Sequence, residues 1–167
     1  MSDDAKGTRR FHFSNDARTY FEKIGIERKK GQSTTGMFSA YIEPYFLCLL
    51  IGIIKNISRE PDPMSKDMVS TWKSYAKGFE KEISGLVFYK YCISKGISHD
   101  DDRVLKLMES FFTTERAEVY EKGAFMMMNR YAQGGFDYIR ENLGENEQLA
   151  DFLVWYLTEL EESSTHE

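Results

Sequence analysis

Apolar residues recur at intervals of three or four positions through most of this chain, which is the period of amphipathic helices. The first stretch, FSNDARTYFEKIG, predicts a short helix that begins behind a cap at Ser14 or Asn15 and ends near Gly25. Its apolar face holds Ala17, Tyr20, Phe21 and Ile24. No stretch alternates apolar and polar residues between hairpin turns. The sequence therefore predicts an all-α fold, a single-domain irregular helical bundle of five to seven helices with a flexible polar N-terminal arm.

The most apolar stretch is YFLCLLIGII, which runs from Tyr45 to Ile54. A helix that crosses a membrane needs about 20 mainly apolar residues, whereas this run is bounded by Glu43 and Lys55. Pro44 suits the first turn of a helix, because its missing N–H would have no partner there. The run therefore predicts a central helix that begins near Pro44 and is covered by neighbours on every face, with no membrane insertion.

A long amphipathic helix is predicted from about Lys66 to Lys95, with Gly96 as its stop. Its apolar stripe consists of Val69, Trp72, Ala76, Phe79, Ile83 and Leu86. Gly78 and Gly85 weaken a helix relative to alanine, so we expect a kink or a close helix crossing at these positions.

The next helix follows the motif HDDD, His99 to Asp102, with Ser98 or an aspartate as its cap. Carboxylates and an imidazole are possible ligands of a divalent cation. Adjacent residues at a helix start point in different directions, however, and the helix dipole itself favours acids there. We therefore interpret the motif as a cap. The predicted apolar face of this helix holds Val104, Leu105, Met108, Phe111 and Phe112.

Three further helical segments complete the prediction. One helix begins at Thr113 or Thr114 and stops near Gly134 and Gly135, and a short helical piece then ends at Gly144. The apolar face of the last helix holds Leu149, Phe152, Leu153, Tyr156, Leu157 and Leu160.

Charge is distributed unevenly along the chain, whose net charge is −5. Residues 1–35 hold eight Lys or Arg against five acids, whereas residues 141–167 hold eight acids and no Lys or Arg. The acidic total disfavours a general nucleic-acid coat. The basic end leaves one alternative, an accessory subunit of a nucleic-acid-acting complex. Its phosphate contacts would be Lys6, Arg9, Arg10, Arg28, Lys29 and Lys30. We assign residues 1–12 to a flexible basic arm, 13–163 to the helical domain and 164–167 to a disordered tail.

The sequence contains none of the common catalytic or cofactor-binding patterns. His12, His99 and His166 have no metal or triad spacing, and no glycine-rich phosphate loop occurs. Cys48 and Cys92 lie in apolar contexts, which suits core thiols in a reducing compartment. The N-terminus shows no signal-peptide pattern. We expect a cytoplasmic protein without a cofactor or metal and without catalytic activity. An enzyme with a dispersed carboxylate site is a second alternative.

Surplus apolar residues on two helices indicate a protein partner or self-association. Met126, Met127 and Met128 are consecutive and together span about 200° of a helix, so one of them must face away from the core. Val154 and Trp155 lie outside the apolar stripe of the last helix. Our hypothesis is a non-catalytic intracellular helical subunit or adaptor that mediates protein–protein assembly, homo-oligomeric assembly included.

Overall fold

A computed structural model describes residues 11–24, 38, 41–62, 66–67, 77–111, 122–145 and 148–164 of the chain. Within these ranges the protein is a bundle of six helices, as the periodicity predicted. The helices are α1 (Asn15–Ile24), α2 (Ile42–Ile54), α3 (Lys77–Ser94), α4 (Arg103–Phe111), α5 (Lys122–Leu143) and α6 (Leu149–Ser164). Two short strands accompany them, β1 (His12–Phe13) and β2 (Lys66–Asp67).

The two strands pair in an antiparallel ladder, with His12 opposite Asp67 and Phe13 opposite Lys66. The prediction of a helix that starts at Lys66 is therefore wrong. Backbone groups that form hydrogen bonds with a distant strand are not available to a helix. The spacing of apolar residues along the sequence gives no sign of such distant pairing. The predicted stripe from Val69 to Phe79 lies outside the described side chains, whereas Ile83 is fully buried as predicted.

Helix α1 follows its sequence signals closely. Ser14 is buried, and its Oγ accepts a hydrogen bond from the backbone N–H of Ala17 over 3.2 Å, which makes Ser14 the N-cap. The predicted face is the buried one and consists of Ala17, Tyr20, Phe21 and Ile24. The ring of Phe21 meets the ring of Phe152 edge to face at 5.6 Å, so this face fixes α1 against α6.

Helix α2 is the centre of the bundle, as its apolar sequence predicted, but its neighbours do not cover every face, because Ile54 at its end is 39% exposed. It packs along α5 and also contacts α3, and its Tyr45, Cys48, Leu49 and Ile51 are fully buried. The Tyr156 hydroxyl on α6 donates a hydrogen bond to the Leu47 carbonyl over 3.0 Å. Among the described residues, no helix combines the length and apolar content that are needed to cross a bilayer.

The contact between α2 and α5 is a close crossing of two backbones. A Cβ at Gly135 would lie 1.8 Å from the Cys48 carbonyl oxygen, and one at Gly52 would lie 2.0 Å from the Tyr131 carbonyl oxygen. Only glycine leaves room for such an approach. The prediction that Gly134 and Gly135 end a helix is therefore wrong, because α5 continues through both to Leu143.

Gly85 was predicted to mark a kink or a close crossing, and among the described residues no close crossing is found there. Apart from its chain neighbours and the backbone of α3 itself, no described atom lies within 4 Å of a Cβ built at this position, which is on the outer side of α3. The two glycines past the ends of α3 and α5 do act as predicted. Gly96 and Gly144 have φ of +65° and +70°, the left-handed conformation that closes many helices.

Asn129 on α5 ties the first strand to the central helix. Its Oδ1 accepts one hydrogen bond from the backbone N–H of His12 over 3.0 Å and another from the Tyr45 hydroxyl over 2.9 Å. Phe11 lies in the range that we assigned to the arm, yet its ring is buried against Tyr45 and Phe125. The Asn129 side-chain oxygen thus fixes the relative positions of β1, α2 and α5, because either of its two donors would be costly to leave without a hydrogen bond.

Helix α4 is attached mainly through one end. Asp101 caps it by accepting a hydrogen bond from the Arg103 backbone N–H over 2.8 Å. The hydrogen bond from the Arg103 side chain lowers the pKa of Asp101 to about 2. Phe111 is buried as predicted, but Leu105 and Met108 are exposed, so the predicted apolar face is only partly correct. The prediction that Leu157 belongs to the buried face of α6 is also wrong, since Leu157 is exposed.

Candidate functional site

The outer side of α3 carries two large apolar side chains that the bundle leaves uncovered. Tyr89 is 55% exposed and Ile93 is 49% exposed. Four residues separate them, so they lie one turn apart on the same face of the helix. We call this pair the α3 ridge. Both residues line each of the two clefts that flank α3, so the ridge and its clefts form one continuous surface, which we call the α3 surface.

The first cleft lies between α3 and the start of α4, with a volume of about 260 Å³. Its apolar lining consists of Phe88, Tyr89, Cys92, Ile93, Ile97 and Val104. Phe88 is held in place by Phe111 of α4, because the two rings lie 5.4 Å apart in an edge-to-face contact. We refer to this space as the α3–α4 cleft.

The second cleft lies between α2, α3 and α6 and is larger, about 530 Å³. Its apolar lining beyond the ridge consists of Leu50, Ile53, Ile54, Leu86 and Leu160. Ile54, the last residue of α2, is itself 39% exposed. We call this space the central cleft, since it opens onto the end of the central helix.

The far wall of the central cleft is anchored by charged and aromatic contacts. Lys55 lies 2.7 Å from the Glu159 carboxylate in a largely buried pair, and the Tyr138 hydroxyl donates to the same carboxylate over 3.0 Å. The hydrogen bond to Glu159 raises the pKa of Lys55. This pair holds α6 against the end of α2, so the cleft wall has a defined position.

Lys90 of α3 is part of the lining of the central cleft. Lys90 lies half-buried, and its Nζ donates a hydrogen bond to Asn56 Oδ1 over 3.0 Å and stands 5.5 Å from the centre of the Tyr131 ring. Burial lowers the pKa of Lys90. Burial deprives the Lys90 ammonium of part of its hydration. A carboxylate from a binding partner would compensate for that loss, so this position favours an anionic group.

The thiols near these clefts do not form a reactive centre. Cys92 lies in the wall of the α3–α4 cleft and Cys48 lies in the core, and burial raises the pKa of both thiols. A thiolate, the nucleophilic form, is therefore disfavoured at both positions. Within the described ranges, no group of three or more His, Cys, Asp and Glu side chains is placed to hold a metal ion.

A third cleft, of about 250 Å³, lies between α1 and the end of α5 and has a different character. Two cations and two acids line it, and they pair with one another. Arg140 lies 3.4 Å from Asp16, and Lys23 lies 3.8 Å from Glu145. A ligand of either charge would have to displace an existing partner, so this cleft is a weaker candidate than the α3 surface.

The predicted interface residues are found on two other helices. Met128 is fully buried and Met127 is half-buried, while Met126 is 42% exposed, so one of the three faces outward as the helical geometry required. Val154 is 67% exposed, and Trp155 is half-buried with its ring 6.2 Å from that of Tyr138. The structure does not bring the methionines into the clefts beside α3.

The predicted phosphate contacts cannot be placed in the same way. All six, Lys6, Arg9, Arg10, Arg28, Lys29 and Lys30, lie outside the described residues. The nucleic-acid interpretation therefore stays a prediction.

The ridge itself was missed in the sequence, although a signal for it exists. Tyr89 follows Ile83 by six positions, and Ile93 follows Val87 by the same interval. Six residues turn a helix by a net of about 120°, so Tyr89 and Ile93 lie away from the stripe that Ile83 and Val87 bury. A helical projection centred on that stripe would have shown a second apolar patch.

Comparison with models of protein families, with curated protein sequences and with solved structures finds no match for this chain.

Proposed function

We propose that this protein is a non-catalytic intracellular helical subunit or adaptor that binds another protein through the α3 ridge. The observation that carries the proposal is the shared lining of the two clefts. Tyr89 and Ile93 are about half exposed, and both border both clefts. A continuous apolar surface of this kind is typical of interaction sites.

The chemistry of the surface suits a protein partner better than a small polar ligand. Ridge and clefts are mainly apolar, and Tyr89 combines a large ring with a hydroxyl at its tip. Tyrosine is enriched among residues that dominate binding energy, because it buries much area and loses little conformational entropy. Side chains of a partner helix would enter the clefts on either side of the ridge.

The intracellular part of the proposal is supported by the cysteines. Cys48 and Cys92 are both buried and both unpaired with any other cysteine. Free thiols persist most readily in a reducing compartment.

The test compares partner recovery by the wild-type chain with recovery by a ridge variant. A tagged chain that carries Tyr89→Ser and Ile93→Ser is cross-linked in extracts of its source cells, and recovered proteins, further copies of the chain included, are quantified by mass spectrometry. We expect at least about a tenfold loss of the main partner, because two central apolar contacts together contribute more than about 1.4 kcal/mol.

Leu105→Ser is the matched control, because Leu105 is 69% exposed on α4 and lies outside the lining of both clefts. All three proteins should have the same circular dichroism, since exposed substitutions seldom affect folding. If partner recovery is the same for the ridge variant and the wild type, the proposed function is wrong.

A further inference from the structure

We draw no further inference here: the strongest candidate, the apolar α3 surface with the clefts on either side of its ridge, is bordered by acids as well as by lysines, and nothing in the described part of the structure shows what covers it.

Discussion

At the scale of single residues, the most unusual group is the hydroxyl of Tyr20. It is buried, and it has no hydrogen-bond partner among the described residues. Its ring meets those of Phe21 and Phe136 edge to face, which accounts for the position of the side chain. The ring contacts therefore hold Tyr20 in place without any contribution from its hydroxyl.

We predict that Tyr20→Phe reduces the loss of stability in alkali. Burial, with the Cys48 thiol nearby, raises the pKa of Tyr20 from 10.0 to about 12. The unfolded chain therefore loses this proton at lower pH than the folded chain does. The contribution of Tyr20 to the free energy of unfolding is fully present below pH 10 and is lost as the pH rises from 10 to about 12. Urea unfolding at a series of pH values measures it.

At neutral pH the same variant should be as stable as the wild type or more stable, because it removes a buried hydroxyl that lacks a partner. Tyr156→Phe is the comparison, since its hydroxyl does donate a hydrogen bond, to the Leu47 carbonyl. That variant should lose about 1 kcal/mol at neutral pH. An unchanged alkaline profile for Tyr20→Phe would contradict the prediction.

At the scale of elements, the crossing of α2 and α5 determines how closely the bundle packs. Gly52 and Gly135 face the backbone of the opposite helix, so the two helices touch without side chains between them. The buried side chains around the crossing, Tyr45, Cys48, Ala132 and Phe136 among them, then fill the space beside it. Close packing of this kind makes the crossing intolerant of even one added methyl group.

We predict that Gly135→Ala destabilises the protein by about 2 to 3 kcal/mol or more. The added methyl would lie 1.8 Å from the Cys48 carbonyl oxygen, and backbone atoms cannot move aside without separating the helices. Thermal and urea unfolding measure the change.

Gly85→Ala is the matched control, because it makes the same chemical change in α3, where no described atom of another element lies within 4 Å of the new methyl group. Alanine is the better helix former, so this variant should gain about 0.5 to 1 kcal/mol. Equal effects of the two substitutions would show that the crossing is not a close backbone contact.

At the scale of the whole molecule, burial is concentrated in α2 and the part of α5 that faces it. Helix α4 is the opposite case, since Phe111 is its only buried residue. Local opening requires little exposure of apolar surface in α4 and a great deal in α2. The bundle is therefore expected to open from its α4 side, next to the α3 surface.

We predict that amide hydrogens in α2 and in the Met128–Ile139 part of α5 exchange slowest, at the rate of global unfolding. Those of α4 should exchange much faster, through local opening. Hydrogen exchange followed by mass spectrometry or NMR gives the comparison directly. Protection in α4 equal to that in α2 would contradict the prediction.

The sequence by itself determined the local features of this protein. The cap at Ser14, the buried face of α1, the ends of α3 and α5 at Gly96 and Gly144, and the central place of α2 all follow from nearby residues. Capping and periodicity act within a few positions of the chain, and so they can be recognised in a single sequence.

The tertiary structure decided what depends on distant partners. Lys66 pairs with Phe13 in a strand and so is not part of the predicted helix. Gly135 was expected to end a helix, but it lies inside α5, where it allows the backbone to approach Cys48. The α3 surface has the same origin, because whether Tyr89 is exposed depends on which elements pack beside α3. A pattern along the chain records which side chains are apolar, whereas only the packing of the bundle determines which of them remain uncovered.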